Sequence, residues 1–180
     1  MSKLVISEFM SLDGIVEDPA EEWAEQFNIG PEGGEFKLTE TMNTECMLLG
    51  RVTYEGFANS WPNEQGEFAD KFNSLPKYVL SSTLRNPSWK NTTVLGGDLE
   101  TEVTALKDRT DGDIVVHGSA MLSRALLDKD LVDELRLIVF PIVMGYGRRL
   151  FGDTGAPLKL RLAEGKQIGP DGVLLLVYRR

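Results

Sequence analysis

Short apolar runs alternate with stretches of helical spacing through the first two thirds of the chain. Buried strands are predicted by the apolar runs at residues 3–9, 46–49, 77–81, 93–95 and 113–117. Helices are predicted by the spacing of apolar residues at 19–27, 35–45, 51–57, 99–107 and from Gly118 through Leu127, with a loop at 28–34. Strand–turn–helix units in series predict an α/β domain with a largely parallel sheet and helices on both faces.

The last third of the chain has a different pattern. A strand is predicted at residues 132–139 and a loop at 141–147. Two further strands, at 158–162 and 173–178, are separated by a glycine-containing stretch at 165–172, which predicts an antiparallel hairpin closing one edge of the sheet. No repeat or linker interrupts the pattern, so residues 1–180 are expected to form a single domain.

The composition excludes several classes of partner. The chain has 180 residues, with 19 basic against 28 acidic side chains and a formal charge of −9. Such a surface repels nucleic acid and anionic lipid, so we expect a small-molecule partner. We also expect a cytoplasmic location, because the sequence contains no signal peptide and no long apolar span. The single cysteine, Cys46, lies in an apolar run and is expected in the core, and no metal site is predicted.

Candidate chemistry lies in the turns that follow three of the predicted strands. The turns begin at Gly50, Ser81 and Gly118, and the first and third of them open helices. Free N–H groups and the positive end of the helix dipole favour phosphate at such positions. Arg51 and nearby hydroxyls would add donors, which together describe a dinucleotide site. The alternative is that the glycines only make turns and that Arg51 is a solvated surface charge.

Several of these segments resemble a known family. Residues 49–55, Leu-Gly-Arg-Val-Thr-Tyr-Glu, resemble the Gly-Arg-x-Thr-aromatic-Glu segment of dihydrofolate reductases. A more specific likeness, to the reductase domain of the bifunctional riboflavin-biosynthesis deaminase-reductase, is found in residues 11–14, 116–122, 131–137, 141–147 and 150–151. The resemblance covers nearly the whole chain and implies a stand-alone reductase domain with a dihydrofolate-reductase-like fold.

The resemblance also implies NADPH as the cofactor. The residues that it places around the adenosine 2′-phosphate are Arg51, Thr53, Ser81 and Ser82, beside the turn at Gly50. The backbone that it places against the pyrophosphate belongs to Gly118, Ser119, Ala120 and Met121. Ser119 departs from the family pattern, which more often has a second glycine there. Serine still offers its N–H, but its side chain restricts φ.

Three residues are candidates for a role at the substrate, each with an alternative structural role, and no catalytic residue is assigned. Asp13 precedes a glycine. It is either a turn residue or a hydrogen-bonding group for substrate or backbone near the nicotinamide. Glu35 lies close to the pterin-binding carboxylate of dihydrofolate reductases, or is an exposed acid at the start of a helix. His117, the only histidine, is a structural residue or a proton-transfer group.

Two further groups have the same double interpretation. Trp23, Phe27 and Trp61 line a pocket for a planar substrate or pack in the core. The adjacent arginines, Arg148 and Arg149, meet a substrate phosphate in the manner of the family or form a surface pair.

These observations predict an NADPH-dependent reductase that transfers hydride directly to a small pyrimidine- or pterin-like substrate. The nearest known activity is the reduction of 5-amino-6-(5-phosphoribosylamino)uracil in riboflavin biosynthesis. The alternatives are a dihydrofolate, pteridine or carbonyl reductase, a flavin- or deazaflavin-using reductase, and a non-catalytic nucleotide-binding protein. The apolar residues 174–177 favour a homodimer, although a buried central strand would explain them equally.

Overall fold

A computed structural model describes residues 2–17, 23–152 and 157–180 of the chain. The strands are β1 (Lys3–Ser11), β2 (Ile15–Glu17), β3 (Thr44–Gly50), β4 (Lys77–Leu80), β5 (Thr92–Leu95), β6 (Asp113–His117), β7 (Glu134–Phe140), β8 (Arg148–Arg149), β9 (Arg161–Ile168) and β10 (Val173–Arg179). The α-helices are α1 (Gly30–Asn43), α2 (Arg51–Ser60), α3 (Glu67–Ser74), α4 (Leu99–Arg109) and α5 (Ala120–Asp128). Short 3₁₀ turns occupy Ala24–Gln26 and Trp61–Asn63.

The strands form an 8-stranded sheet in the order β5-β4-β3-β6-β1-β7-β10-β9, and β2 pairs with β8 in a separate ribbon. Pairing is parallel from β5 to β7 and antiparallel for β10 with β7 and β9. The predicted parallel sheet and C-terminal hairpin are therefore confirmed. Since β3 and β6 are parallel neighbours, the turns that follow them lie side by side at the carboxyl ends of the strands.

Side chains alternate between the two faces of the sheet, and each face has its own core. On one face, Leu4 and Ile6 of β1 pack in a cluster with Val103 of α4 and Leu126 of α5. On the opposite face, clusters form beneath α1, α2 and α3, with Phe72 at the centre of an aromatic group. Helices thus cover both faces, as the alternation of strands and helices along the sequence predicts.

Some predicted boundaries were wrong. Helix α1 begins at Gly30, inside the predicted 28–34 loop, because Pro31 occupies its first turn, where a missing N–H costs nothing. Strand β9 extends to Ile168, into the predicted 165–172 connection, because pairing with β10 supplies backbone hydrogen bonds along that stretch. Helix α3 was not predicted. Of the helix predicted at 19–27, residues 19–22 lie outside the described residues.

No helix within the described residues combines the length and apolarity needed to cross a bilayer. Cys46 is buried in the cluster beneath α4 and α5, and burial raises the pKa of its thiol to about 11. The thiol therefore stays protonated at neutral pH, and the prediction that it is a core side chain is confirmed.

Candidate functional site

Two strand–turn–helix junctions are in direct contact at the carboxyl ends of β3 and β6. A Cβ atom placed on Gly50, which precedes α2, would lie 2.7 Å from Ser119 Oγ and 2.9 Å from Ser119 Cβ. A Cβ on Gly118 would lie 3.1 Å from Thr53 Cγ2. The missing side chains let the two turns approach, so the N-termini of α2 and α5 lie side by side as predicted.

Both helix N-termini present backbone donors in this region. Gly118 has φ +70° and Ser119 has φ +68°, and these left-handed residues turn the chain from β6 into α5. The Ser119 hydroxyl accepts a 3.4 Å hydrogen bond from Leu122 N. At α2 the preceding residue is Gly50, whose lack of a side chain leaves the first N–H groups without a side-chain cap. The uncapped N–H groups of α2 and the positive dipole ends of both helices favour an anionic group between the two helices.

The remaining residues predicted to bind the cofactor flank this junction. Arg51 is exposed, and its guanidinium NH1 donates to both carboxylate oxygens of Glu55, at 3.0 and 2.8 Å. Ser81 follows Leu80, the residue paired with Gly50 across β3 and β4, and its hydroxyl accepts from Thr83 N and Leu84 N. Ser82 is exposed in the same turn. The Met121 side chain is exposed to solvent.

Two carboxyl groups that sequence reasoning missed lie at the same helix end. Glu17 Oε1 accepts a 2.7 Å hydrogen bond from Ala120 N, the first amide of α5. Glu8 is buried near it, and Ser123 Oγ donates to Glu8 Oε1 at 3.3 Å. Burial raises the pKa of Glu8 to about 8, and the neighbouring Glu17 charge adds to that rise. Glu8 is therefore mostly neutral at pH 7, which keeps a second negative charge away from the helix end.

Asp13 links two loops. Its carboxylate accepts from Ser11 Oγ at 2.7 Å, Met144 N at 3.0 Å and Gly145 N at 2.9 Å. These hydrogen bonds, led by that from Ser11, lower the pKa of Asp13 to about 2. Every one of these contacts supports a turn role, in which Asp13 ties the end of β1 to the 141–147 loop.

The carboxylate that faces the sheet from α1 is Glu40, whereas the predicted Glu35 is exposed. Glu40 Oε2 accepts from Ser7 Oγ at 2.9 Å and from the Lys37 ammonium. Burial opposes ionisation of Glu40, but the charges of Lys37, His117 and Arg136 and the hydrogen bond from Lys37 together outweigh it and lower the pKa to about 2. His117 lies on the same face, where burial lowers its pKa to about 3, so its imidazole is neutral at pH 7.

The Glu40 cluster continues into a buried ion network under α1. Arg136 of β7 donates to Glu40 Oε1 at 3.4 Å, Asp113 Oδ2 at 2.6 Å and Glu134 Oε1 at 2.7 Å. The sequence carried a signal for this network, since Glu134 and Arg136 are the charged residues of a strand that is otherwise apolar. Paired buried charges of this kind fix the position of α1 over the sheet.

The aromatic and arginine candidates have structural surroundings. Trp23 and Phe27 pack against Phe140, with ring centroids 5.3 and 5.5 Å from it, and Trp61 packs on Phe72 at 4.6 Å. These contacts support the core alternative for all of the aromatic candidates. Arg148 is exposed with its NH1 3.6 Å from Glu17 Oε2, while the Arg149 carbonyl accepts from Arg124 Nε at 2.8 Å.

Comparisons with known proteins agree with this architecture. The sequence model of the family described as "RibD C-terminal domain" matches residues 2–174. The uncharacterized protein YyaP of Bacillus subtilis (strain 168) is 27% identical over 98% of this chain and 94% of its own.

Solved structures show the same fold at low identity. A protein from Shewanella sp. PV-4 attributed to riboflavin biosynthesis has a TM-score of 0.79 at 20% identity, covering 99% of this chain and 98% of its own. The dihydrofolate reductase of Enterococcus faecalis, solved with NADP(H) and RAB-propyl, has a TM-score of 0.62 at 16% identity, covering 99% and 96%. The chain therefore has a dihydrofolate-reductase-like fold, as predicted.

The close approach of the Gly50 turn to Ser119 can be tested by mutation. Gly50→Ala should lower the free energy of unfolding by roughly 1–3 kcal/mol, because the new methyl group overlaps Ser119. Adding Ser119→Gly to this variant should restore most of the loss. Gly56→Ala, on the same helix in open space, is the matched control and should be neutral or slightly stabilising. Urea unfolding measures all three, and a Gly50→Ala protein as stable as its parent would contradict the close approach.

The low pKa of Glu40 generates a pH-dependent prediction. Because the folded-state pKa of about 2 lies below the ordinary glutamate value of 4.5, ionised Glu40 stabilises the protein above pH 4.5, and that stability is lost as the pH falls toward 2. Glu40→Gln should lower the unfolding free energy by about 3 kcal/mol at pH 7, and by progressively less in acid. Glu35→Gln, on the exposed side of the same helix, should change it little. A constant Glu40→Gln deficit between pH 7 and pH 3 would argue against this assignment.

Proposed function

The chain belongs to the RibD C-terminal domain family, and we propose that it is an NADPH-dependent reductase acting on a small pyrimidine- or pterin-like substrate. The family supports a riboflavin-pathway type of reductase, and the nearest activity we propose is reduction of 5-amino-6-(5-phosphoribosylamino)uracil. The observation that carries the proposal is the contact between the Gly50 and Ser119 turns, which places two helix N-termini together. A dinucleotide carries phosphates suited to such a pair of positive helix ends.

The chain's own residues suggest how the cofactor would be held. In this proposal the diphosphate binds the amides of Gly118, Ser119, Ala120 and Met121 at α5. The 2′-phosphate binds Arg51 of α2, with Thr53, Ser81 and Ser82 around it. Support comes from the Enterococcus faecalis reductase, which shares the fold and was solved with NADP(H). When bound, NADPH supplies the hydride, and the protein aligns the reactants and excludes water.

The substrate side is proposed to lie over the carboxyl-terminal half of β1, beside α1. Phe9 is more than one-third exposed there, and the Lys37 ammonium lies 5.9 Å from its ring centroid. An aromatic ring with an adjacent cation suits a planar heterocycle that carries oxygen acceptors. Because Glu40 and Ser7 both bond Lys37, its amine is held at one position. Folate or pteridine reduction stands second, since the carboxylate facing the sheet, Glu40, is already engaged by Lys37 and Arg136.

Turnover separates the reductase proposal from a nucleotide-binding protein without activity. Loss of absorbance near 340 nm, with NADPH and the phosphoribosylamino-uracil or a dihydropteridine, would support a reductase. Tight NADPH binding without oxidation across these substrates would favour the non-catalytic alternative.

Cofactor selectivity tests the role of Arg51. Arg51→Ala should weaken NADPH binding by roughly 10- to 100-fold, the usual size of a charge-assisted contact, and NADH binding far less. Arg161→Ala is the matched control. It also removes one arginine charge, but on β9, the edge strand beyond β7 and β10 and away from the proposed cofactor site. Calorimetry measures all four affinities. Equal losses for NADPH and NADH would remove the 2′-phosphate assignment.

We also propose a homodimer formed through the C-terminal hairpin. Leu162 of β9 and Leu174 of β10 are exposed, and Leu176 is half-buried. Exposed leucines on an edge strand and on its neighbour favour association with a second copy of the chain. Sedimentation should give twice the mass of one chain, and Leu174→Lys should shift the protein toward the monomer. Single-chain mass for the unmodified protein at micromolar concentration would refute the dimer.

A further inference from the structure

The first amide of α5 is bonded to a side chain of the protein itself. Glu17 Oε1 lies 2.7 Å from Ala120 N, and the two residues are 103 positions apart in the chain. Ala120 N–H is one of the donors that the proposed function assigns to the cofactor diphosphate. A carboxylate at a helix N-terminus gains the same dipole interaction and hydrogen bond that a phosphate oxygen would gain.

The fold holds Glu17 at this helix end through its backbone. Glu17 ends β2, which pairs with β8, and Gly147 approaches so closely that a Cβ there would lie 2.7 Å from the Glu17 carbonyl oxygen. The ribbon is anchored to α5, because Arg124 Nε donates to the Arg149 carbonyl at 2.8 Å. These contacts hold the Glu17 backbone beside α5, within reach of the Ala120 amide.

The Glu17 carboxylate itself remains free to move. Its side chain is 31% exposed, and Arg148 NH1 lies 3.6 Å from Oε2 on the solvent side. Rotation of the side chain toward Arg148 and water would open the Ala120 amide without breaking the ribbon. A diphosphate and the carboxylate cannot occupy the same amide together, and their like charges repel at this distance.

We propose, on the basis of the proposed function, that Glu17 is an internal competitor of the cofactor diphosphate. Its carboxylate caps α5 in the free protein and leaves the Ala120 amide when NADPH binds. Binding therefore exchanges one anion for another at the helix end, and the affinity for NADPH is lower than the two helix N-termini alone would provide. Glu8 stands behind the same helix end and contributes little repulsion while it is neutral.

The test compares Glu17→Gln with the parent protein. The amide keeps the shape and a carbonyl acceptor while it removes the charge. Glu64→Gln, at an exposed position outside the site, is the matched control for net charge. NADPH affinity is measured by calorimetry, and sodium pyrophosphate binding is followed through the NMR resonance of the Ala120 amide. Glu17→Gln should bind both probes roughly three- to tenfold more tightly than the parent, the size expected for one charge at a helix N-terminus.

The outcomes separate this inference from the proposed function. If NADPH binds no variant while pyrophosphate still prefers Glu17→Gln, the cofactor proposal fails and the competition stands. Equal pyrophosphate and NADPH affinities in parent and Glu17→Gln would overturn the competition, as would pyrophosphate binding that leaves the Ala120 amide unshifted. Glu17→Ala, which removes the acceptor as well, should bind pyrophosphate at least as tightly as Glu17→Gln and guards against poor folding of one variant.

Discussion

The site depends on the close approach of two chain turns that a single side chain would prevent. Strands β3 and β6 are parallel neighbours, so their carboxyl ends fall at the same edge of the sheet. With no side chain at Gly50, the Ser119 turn can fill the space where a Cβ would lie. Two helix N-termini then lie side by side, with the positive ends of both helix dipoles close together. The cofactor proposal, the choice of Arg51 and the competition by Glu17 all depend on this juxtaposition.

The two faces of the sheet have different physical roles. Beneath α4 and α5 the core is mostly apolar, with the buried Glu8–Ser123 pair as a polar exception, and its packing joins α5 to β6. Beneath α1 the same sheet carries a network of paired charges centred on Arg136 and Glu40. Glu40 of α1 takes part in this network through Arg136, so the network joins α1 to β7. The proposed substrate side over β1 is therefore bordered by α1, where Ser7 and Glu40 hold the Lys37 ammonium.

The acidic character of the chain sets how an anion can be bound. With a formal charge of −9, the protein gains little from long-range attraction to a phosphorylated ligand. Recognition must come from short-range donors, namely the helix amides and one guanidinium. Both are already bonded to carboxylates, Ala120 N to Glu17 and Arg51 to Glu55. In the proposed cofactor site, ligand binding would therefore be an exchange of partners, in which Glu17 and Glu55 compete with the ligand.

The periodicity of apolar residues was sufficient to predict most strands of the large sheet, its parallel part and the C-terminal hairpin, but not the order of the strands within the sheet. It missed α3, a helix of only 8 residues, although Phe68 and Phe72 have helical spacing. It also placed the start of α1 too late, because the glycines and the proline at 30–34 are typical of a loop. The glycine turns and Arg51 were also readable, because their chemistry lies within a few adjacent residues.

The sequence alone thus determined the fold class and the candidate anion-binding turns. The tertiary structure alone decided which carboxylates matter, placing Glu40 rather than Glu35 against the sheet and Glu17 at α5. Each of these side chains acts through partners distant in the chain, and the distance from Glu17 to Ala120 is 103 residues. Spacing along a sequence carries no information about such contacts, because they arise only when separate elements pack together.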